Sequence, residues 1–250
     1  MKAGKVELEF KVKGGRITRA EVLEDGSCKL LVDVARRRDE FVLIKASTLS
    51  LQDDFMDYKP QNRREAEVKN VLTEAIKSGV DDFYRPKYDP SFDEDGDIQF
   101  VAGKKPAFGL SFAEWLTVAE ELYPNSRLGT KWEYYAFLGV LLKRMVKHGM
   151  DKKKAWHAVC GNSEKIGHYK SATTAAPKWA YTGSHPFYGF DDLANTSKLV
   201  SVGSYEYAEA SGSYLSLPYD APLASFRVKK SDFEKKRYDA VGWVVLELVG

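Results

Sequence analysis

Between Ala107 and Leu138 the chain carries two capping boxes in close succession, and this block constrains the fold more than any other. Ser111-Phe112-Ala113-Glu114 is the first and Thr130-Lys131-Trp132-Glu133 the second. In each, the hydroxyl can accept from the backbone N–H three residues on, while the glutamate reaches back to the cap's own N–H. Behind the first box, Phe112, Trp115, Leu116, Ala119 and Leu122 recur at helical spacing and predict one buried face. Behind the second, Trp132, Tyr135, Ala136, Gly139 and Val140 do the same. Pro124-Asn125 separates the two helices, and Arg127-Leu128 forms a short strand-like link into the second cap.

On either side of this block the chain alternates between strand and helix patterns. Val6, Leu8, Phe10 and Val12 alternate with charged residues, Gly14-Gly15 supplies a tight turn, and Ile17 to Leu23 returns. Asp25-Gly26 is a second turn before Cys28 to Val34, so residues 1–36 read as an antiparallel β meander, either a small module or extra strands on a main sheet. Arg36-Arg37-Arg38 followed by Asp39-Glu40 reads as a solvated turn rather than a phosphate contact. Phe41 to Ser50 is a strand, and residues 62–78 are an amphipathic helix with Val68, Val71, Leu72 and Ile76 inward. The acidic run Asp89 to Asp97 lacks the spacing of an EF-hand loop and reads as a surface turn. The second helix of the central block continues through Met145 and stops at His148-Gly149, and Asp151 to Ala158 forms another short helix.

A net charge of +2 gives no reason to expect nucleic acid or an anionic membrane as partner. Cys28 and Cys160 are too few for a disulfide framework, and no apolar run approaches a membrane span. Without an apolar leader in MKAGKVELEFKVKGG, the expected location is cytoplasmic or virion-associated. The histidines His148, His157, His168 and His185 are clustered in sequence, but no pair stands at the spacing that puts two rings on one helix face. There is no P-loop, nucleophile elbow or H-E-x-x-H pair.

Five ordered patches resemble the formylglycine-generating-enzyme family, also called the sulfatase-modifying-factor domain. Phe41 to Ser50 is similar to its opening strand, with Ser47 at one of two missing glycines. Pro106 to Phe112 and Arg127 to Ala136 are similar to its central signature, with Gly129 in place of a proline and one residue missing before Trp132. Gly189-Phe190-Asp191-Asp192-Leu193-Ala194-Asn195 is similar to the first half of its second signature. The run from Gly203 through Gly212-Ser213-Tyr214, Ser225-Phe226-Arg227 and Val241-Gly242-Trp243 is similar to its close, ending in a last core strand. The resemblance spans residues 41–250. It implies an α+β, C-type-lectin-like fold, mixed and loop-rich, here with the N-terminal meander added. The division expected is 1–36 for the meander and 37–250 for the lectin-like domain, with Arg227 a structural arginine of that fold.

The same resemblance frames the chemistry. Family members bind copper(I) through two thiols in the loop that corresponds to Leu215 to Pro222, which here contains no cysteine; Ser216 stands near the first position and Asp220 or Ala221 near the second. A hydroxyl does not replace a copper-bound thiolate, so oxidase activity of that kind is not expected. Where the family holds calcium with an asparagine and a glutamate, this chain has Asn195 and Lys198. Like charges about 4 Å apart repel by roughly 4 kcal/mol at an effective dielectric of 20, so the calcium site is expected to be lost, with the Lys198 ammonium in the ion's electrostatic role. No metal and no cofactor are expected.

What remains is a scaffold for binding, with candidate contacts Trp179, Tyr181, Tyr205, Tyr207, Tyr214, Ser216, Tyr219 and Asp220. Aromatic rings there offer large contact area with few rotors to freeze, and they stack on sugar faces; the competing reading places several of them in the core. The expected activity is non-catalytic recognition of a protein or glycan through aromatic loops, with a homo-oligomer as one form of the assembly, in a phage or prophage receptor-binding or structural protein. The last step rests on fold analogy. The alternative is an enzyme of different chemistry on the same scaffold, with His168, His185 and Asp191 around a metal.

Overall fold

The computed structural model describes residues 5–6, 10–12, 15–22, 28–34, 37–123, 125–160, 197–203, 206–210, 226–229 and 233–247. Within them the chain is mixed α+β, with four α-helices and mainly antiparallel sheets. The amino-terminal strands β1 (Lys5–Val6), β2 (Phe10–Val12), β3 (Gly15–Val22) and β4 (Cys28–Val34) form the expected antiparallel meander. It does not stop there. β4 pairs along its length with β5 (Arg37–Ile44), so the meander extends the main sheet. Arg37 and Arg38 therefore lie in β5, opposite Val34 and Asp33, rather than in a solvated turn. The apolar run Phe41–Ile44 is already committed to strand, and β4 offers it backbone partners back to Arg37.

At its other end β5 stops at Ile44, sooner than the apolar pattern predicts, and residues Ala46–Thr48 form a 3₁₀ turn. The Ser47 N–H and hydroxyl both donate to the Asp82 carboxylate, and the Thr48 hydroxyl donates to the Lys45 carbonyl. Short hydroxyl side chains compete here with the sheet ladder for backbone and carboxylate partners.

β5 next pairs with β6 (Phe83–Pro86), and β6 with the carboxy-terminal strand β14 (Val244–Glu247), which also pairs with β9 (Ser126–Leu128). A hairpin of β7 (Ser91–Phe92) and β8 (Ile98–Gln99) lies apart. Where β5, β6 and β14 lie side by side, the main sheet is buried on both faces, and successive residues show it. Val42 and Ile44 join one core cluster while Phe41 and Leu43 join another; Phe83 and Tyr84 divide the same way, as do Val245 and Val244. This is why Phe41–Ile44 reads as a continuous apolar run although its neighbours are antiparallel.

The helices cover these faces. α1 (Arg63–Ser78) is capped by Asn62, whose side chain accepts from the Glu65 N–H, and packs through Val68, Leu72 and Ala75. α2 (Phe112–Leu122) and α3 (Lys131–Lys147) both begin with complete capping boxes. The Ser111 N–H donates to Glu114 at 2.7 Å and the Thr130 N–H to Glu133 at 2.7 Å. Asn125, between them, takes a left-handed φ of 62°, a conformation its side-chain amide tolerates better than most. α3 is buried on almost every side, and α4 (Lys152–Cys160) follows it with Trp156 and Val159 in the same cluster. α2 serves the opposite face through Phe112, Trp115 and Ala119. Leu116, expected on that face, is 37% exposed because the contacting arc is narrower than the apolar pattern. Trp132 is also displaced from its expected buried face: at 36% exposure it stands at the start of α3 with the Lys131 ammonium 5.0 Å from its ring centroid.

A smaller sheet has the order β12 (Phe226–Lys229), β11 (Glu206–Ala210), β10 (Ser197–Gly203), β13 (Ala240–Gly242), with β10 and β13 parallel. The chain leaves this sheet at Gly242, passes Trp243 and enters β14 of the main sheet. A Cβ at Gly242 would stand 2.5 Å from the Trp115 ring, so the crossover needs glycine for close approach. The capping boxes give a direct test. Ser111→Ala and Thr130→Ala are each expected to cost about 1 kcal/mol of stability in urea unfolding. Thr130→Ala is expected to cost the more, since Glu133 also anchors Arg127 through two bonds of 2.9 and 2.7 Å.

Candidate functional site

Of the expected contact residues, Trp179, Tyr181, Tyr205, Tyr214, Ser216, Tyr219 and Asp220 lie outside the described residues, as do Asn195, His168, His185 and Asp191. Tyr207 lies within them and is corrected from surface to core. It is 1% exposed on β11, with its ring stacked 4.5 Å from that of Phe112 and edge-on to Phe233. The apolar face of α2 lies over that position of the small sheet, so the ring packs instead of meeting a ligand. Arg227 lies in β12, opposite Glu209 in the strand register.

Lys198, on β10, is the one expected metal-site residue whose side chain is described. Its ammonium group lies 2.5 and 2.6 Å from the two Asp89 oxygens, with only 4% of the side chain exposed. Asp89 follows β6 at the start of the acidic run that was read as a surface turn, and it is buried there. Residues 92–97 match that reading: the Asp93 carboxylate accepts from the Asp95 and Asp97 N–H groups of its own hairpin. A buried carboxylate is tolerated only when its charge is answered, and Lys198 answers it. The pair joins the small sheet to the segment after β6. Asp39, expected in a solvated turn, is likewise buried, accepting from the Phe100 N–H at 2.9 Å and from the Tyr123 hydroxyl.

Cys160 ends α4 in the apolar interior. Burial pushes its thiol up to about 12, with Glu65 adding to the effect, so at neutral pH it holds its proton and is no nucleophile. Burial also raises the nearby Tyr135 phenol to about 12, and Cys160 contributes in turn. The sign of the linkage follows. Both groups stay protonated in the folded chain after the unfolded chain has begun to lose those protons, so their stabilisation is intact below about pH 9 and is lost as pH rises toward 12. Stability in urea is expected to fall by roughly 1.4 kcal/mol per pH unit for Cys160 above about pH 9, and by as much again for Tyr135 above about pH 10. Cys160→Ala is expected to flatten that slope. A slope unchanged by this substitution would count against the assignment.

The described residues also form an open cleft of about 430 Å³ that sequence reasoning did not anticipate. Its wall comprises the carboxy-terminal end of α1 (Ser78, Gly79), the Asp81–Phe83 segment, Arg127, Thr130, Trp132, Glu133 and Glu247. The Arg127 guanidinium is fully committed: Nε donates to Glu247 at 2.6 Å, and the terminal nitrogens donate to both oxygens of Glu133 and to the Leu128 carbonyl. Asp82 receives the Ser47 N–H and hydroxyl, and Lys45 lies 3.0 Å from it. Burial opposes ionisation of Asp82, but the Ser47 hydrogen bonds and the Lys45 charge prevail and hold its carboxyl below the usual range. The wall residues come from three stretches of chain, 78–83, 127–133 and Glu247. In sequence, Ser78 falls in the helix of residues 62–78 and Arg127 to Glu133 carries the second capping box and part of the family resemblance, but nothing there brings the two together. Among the described residues, no group of three His, Cys, Asp or Glu side chains is arranged to hold a metal ion, and no helix is long and apolar enough to cross a membrane. No family model matches the chain, and no curated protein or solved structure matches it either.

Proposed function

We propose that this chain is a non-catalytic recognition protein on a C-type-lectin-like scaffold of the formylglycine-generating-enzyme type. Its ligand is a glycan or a protein met by the aromatic segment from Trp179 to Asp220, and its setting is a phage or prophage receptor-binding or structural protein. The observation that carries the reading is Lys198. The resembled family places a calcium-binding glutamate there, and in this chain the residue is a buried ammonium paired with Asp89. The return of the carboxy-terminal strand to the main sheet, between β6 and β9, also supports it, as does the Arg127 link between the second cap and that strand. The stretch Leu215 to Pro222, without a cysteine, supports a loss of the oxidase chemistry.

A glycan array probed with the purified chain, and repeated with Trp179→Ala and Tyr219→Ala, tests the recognition. The reading expects binding that either substitution weakens while the fold persists. Copper-dependent oxygen consumption with a cysteine-containing peptide would overturn the non-catalytic part and leave the architecture standing.

A further inference from the structure

We propose that the cleft between the end of α1 and the start of α3 binds an organic cation, an alkylammonium or guanidinium group held by the Trp132 indole and the Asp81 carboxylate. Four carboxylates line the cleft, those of Asp81, Asp82, Glu133 and Glu247, against the single guanidinium of Arg127. Arg127 is shared by Glu133 and Glu247, and Asp82 is answered by Lys45 from outside the wall. That leaves one negative charge on the Arg127 cluster and another on Asp81, and the Lys131 ammonium beside Trp132 offsets one of the two, for a net surplus of one. The carboxy-terminal pole of α1, closed by Gly79, adds partial negative charge on the same side.

Ligand classes then separate on chemistry. An anion would meet this surplus, and the Arg127 donors that would bind it already face carboxylates and a carbonyl. A metal ion lacks a converging ligand set among the described residues. A cation with an apolar body fits both parts of the wall, because the indole face attracts positive charge and Asp81 supplies the counter-ion. The chain itself gives the precedent: the Lys131 ammonium lies 5.0 Å from the Trp132 ring centroid. Trp132 is among the few large apolar residues exposed on the described surface, and a volume of about 430 Å³ suits a small ligand or one basic side chain. This site is separate from the aromatic segment proposed above, so its failure and the failure of that reading are independent.

The test is calorimetric titration of the full chain with agmatine, which carries a guanidinium and an ammonium, and in parallel with glucose as a neutral probe. Saturable agmatine binding is expected, weakened about tenfold or more by Trp132→Ala and by Asp81→Asn and reduced by added salt. Both residues are exposed, so the variants are expected to fold, and circular dichroism checks this. Trp132→Phe is expected to retain part of the affinity, which distinguishes a ring-face contact from mere bulk. No saturable heat at about 10 mM agmatine, an affinity unchanged from the parent chain in both substituted chains, or glucose binding without agmatine binding would overturn the proposal.

Discussion

Lys198→Met is expected to lower the free energy of unfolding by about 3–5 kcal/mol, because it strands the Asp89 carboxylate in the interior without its counter-ion. Both Asp89 oxygens lie within 2.6 Å of the ammonium, and both side chains are almost fully buried. The cost therefore belongs to the unpaired charge more than to the lost attraction. A second substitution checks that attribution. Lys198→Met combined with Asp89→Leu removes both charges, and it is expected to recover a large share of the loss, as buried ion pairs replaced by apolar residues commonly do. Urea unfolding of the two single variants and the double variant gives the coupling directly. Additive losses would show that the two groups act independently.

Gly129→Pro is expected to destabilise the chain by roughly 2–6 kcal/mol, the sum of an overpacked core and a lost buried hydrogen bond. At this position the resembled family carries proline. Here the Gly129 N–H donates to the Trp243 carbonyl at 2.8 Å, and its own carbonyl accepts from the Ser201 N–H at 2.9 Å. One residue thus ties β9 to the crossover and to the small sheet. A Cβ on it would stand 2.4 Å from the Trp243 ring, which also packs edge-on against Phe83 and Tyr134. Gly129→Ala keeps the N–H and is expected to cost only the packing share, about 1–3 kcal/mol. The difference between the two variants isolates the backbone bond. A proline variant as stable as the parent would mean that Trp243 can move aside, and the close approach would then have no structural role.

Local chemistry was the part of this fold legible in the sequence. The two capping boxes, the helix of residues 62–78, the stop at His148-Gly149 and the last strand all depend on neighbours within a few residues. Long-range pairing was not legible. Asp89 sits in a run whose acidic composition reads as surface, and its partner Lys198 is more than a hundred residues away, so nothing local distinguishes it from Asp93 or Asp95. Asp39 was misread for the same reason, since its partners Phe100 and Tyr123 come from distant segments. Leu116 and Trp132 show the limit of periodicity. It gives the angle around a helix but not how much of that arc a neighbour covers. Tyr207 reads as a loop aromatic until the face of α2 is brought over it.

The cleft was hidden by its construction. Its wall draws on a helix end, a turn, a cap and the carboxy-terminal strand, and in sequence each has a sufficient structural explanation of its own. Arg127 and Glu133 are the instructive pair. Glu133 was legible as a capping residue, but its two bonds to Arg127, and the bond from Arg127 on to Glu247, appear only once β9 and β14 are adjacent.

The account turns on whether the chain's own ammonium group fills the place that an ion holds in the resembled family. A crystal structure grown with excess calcium measures this most directly. The prediction is Lys198 still seated on both oxygens of Asp89, with no calcium bound to Asn195. Calcium coordinated by Asn195 or Asp89, with Lys198 turned away, would contradict it.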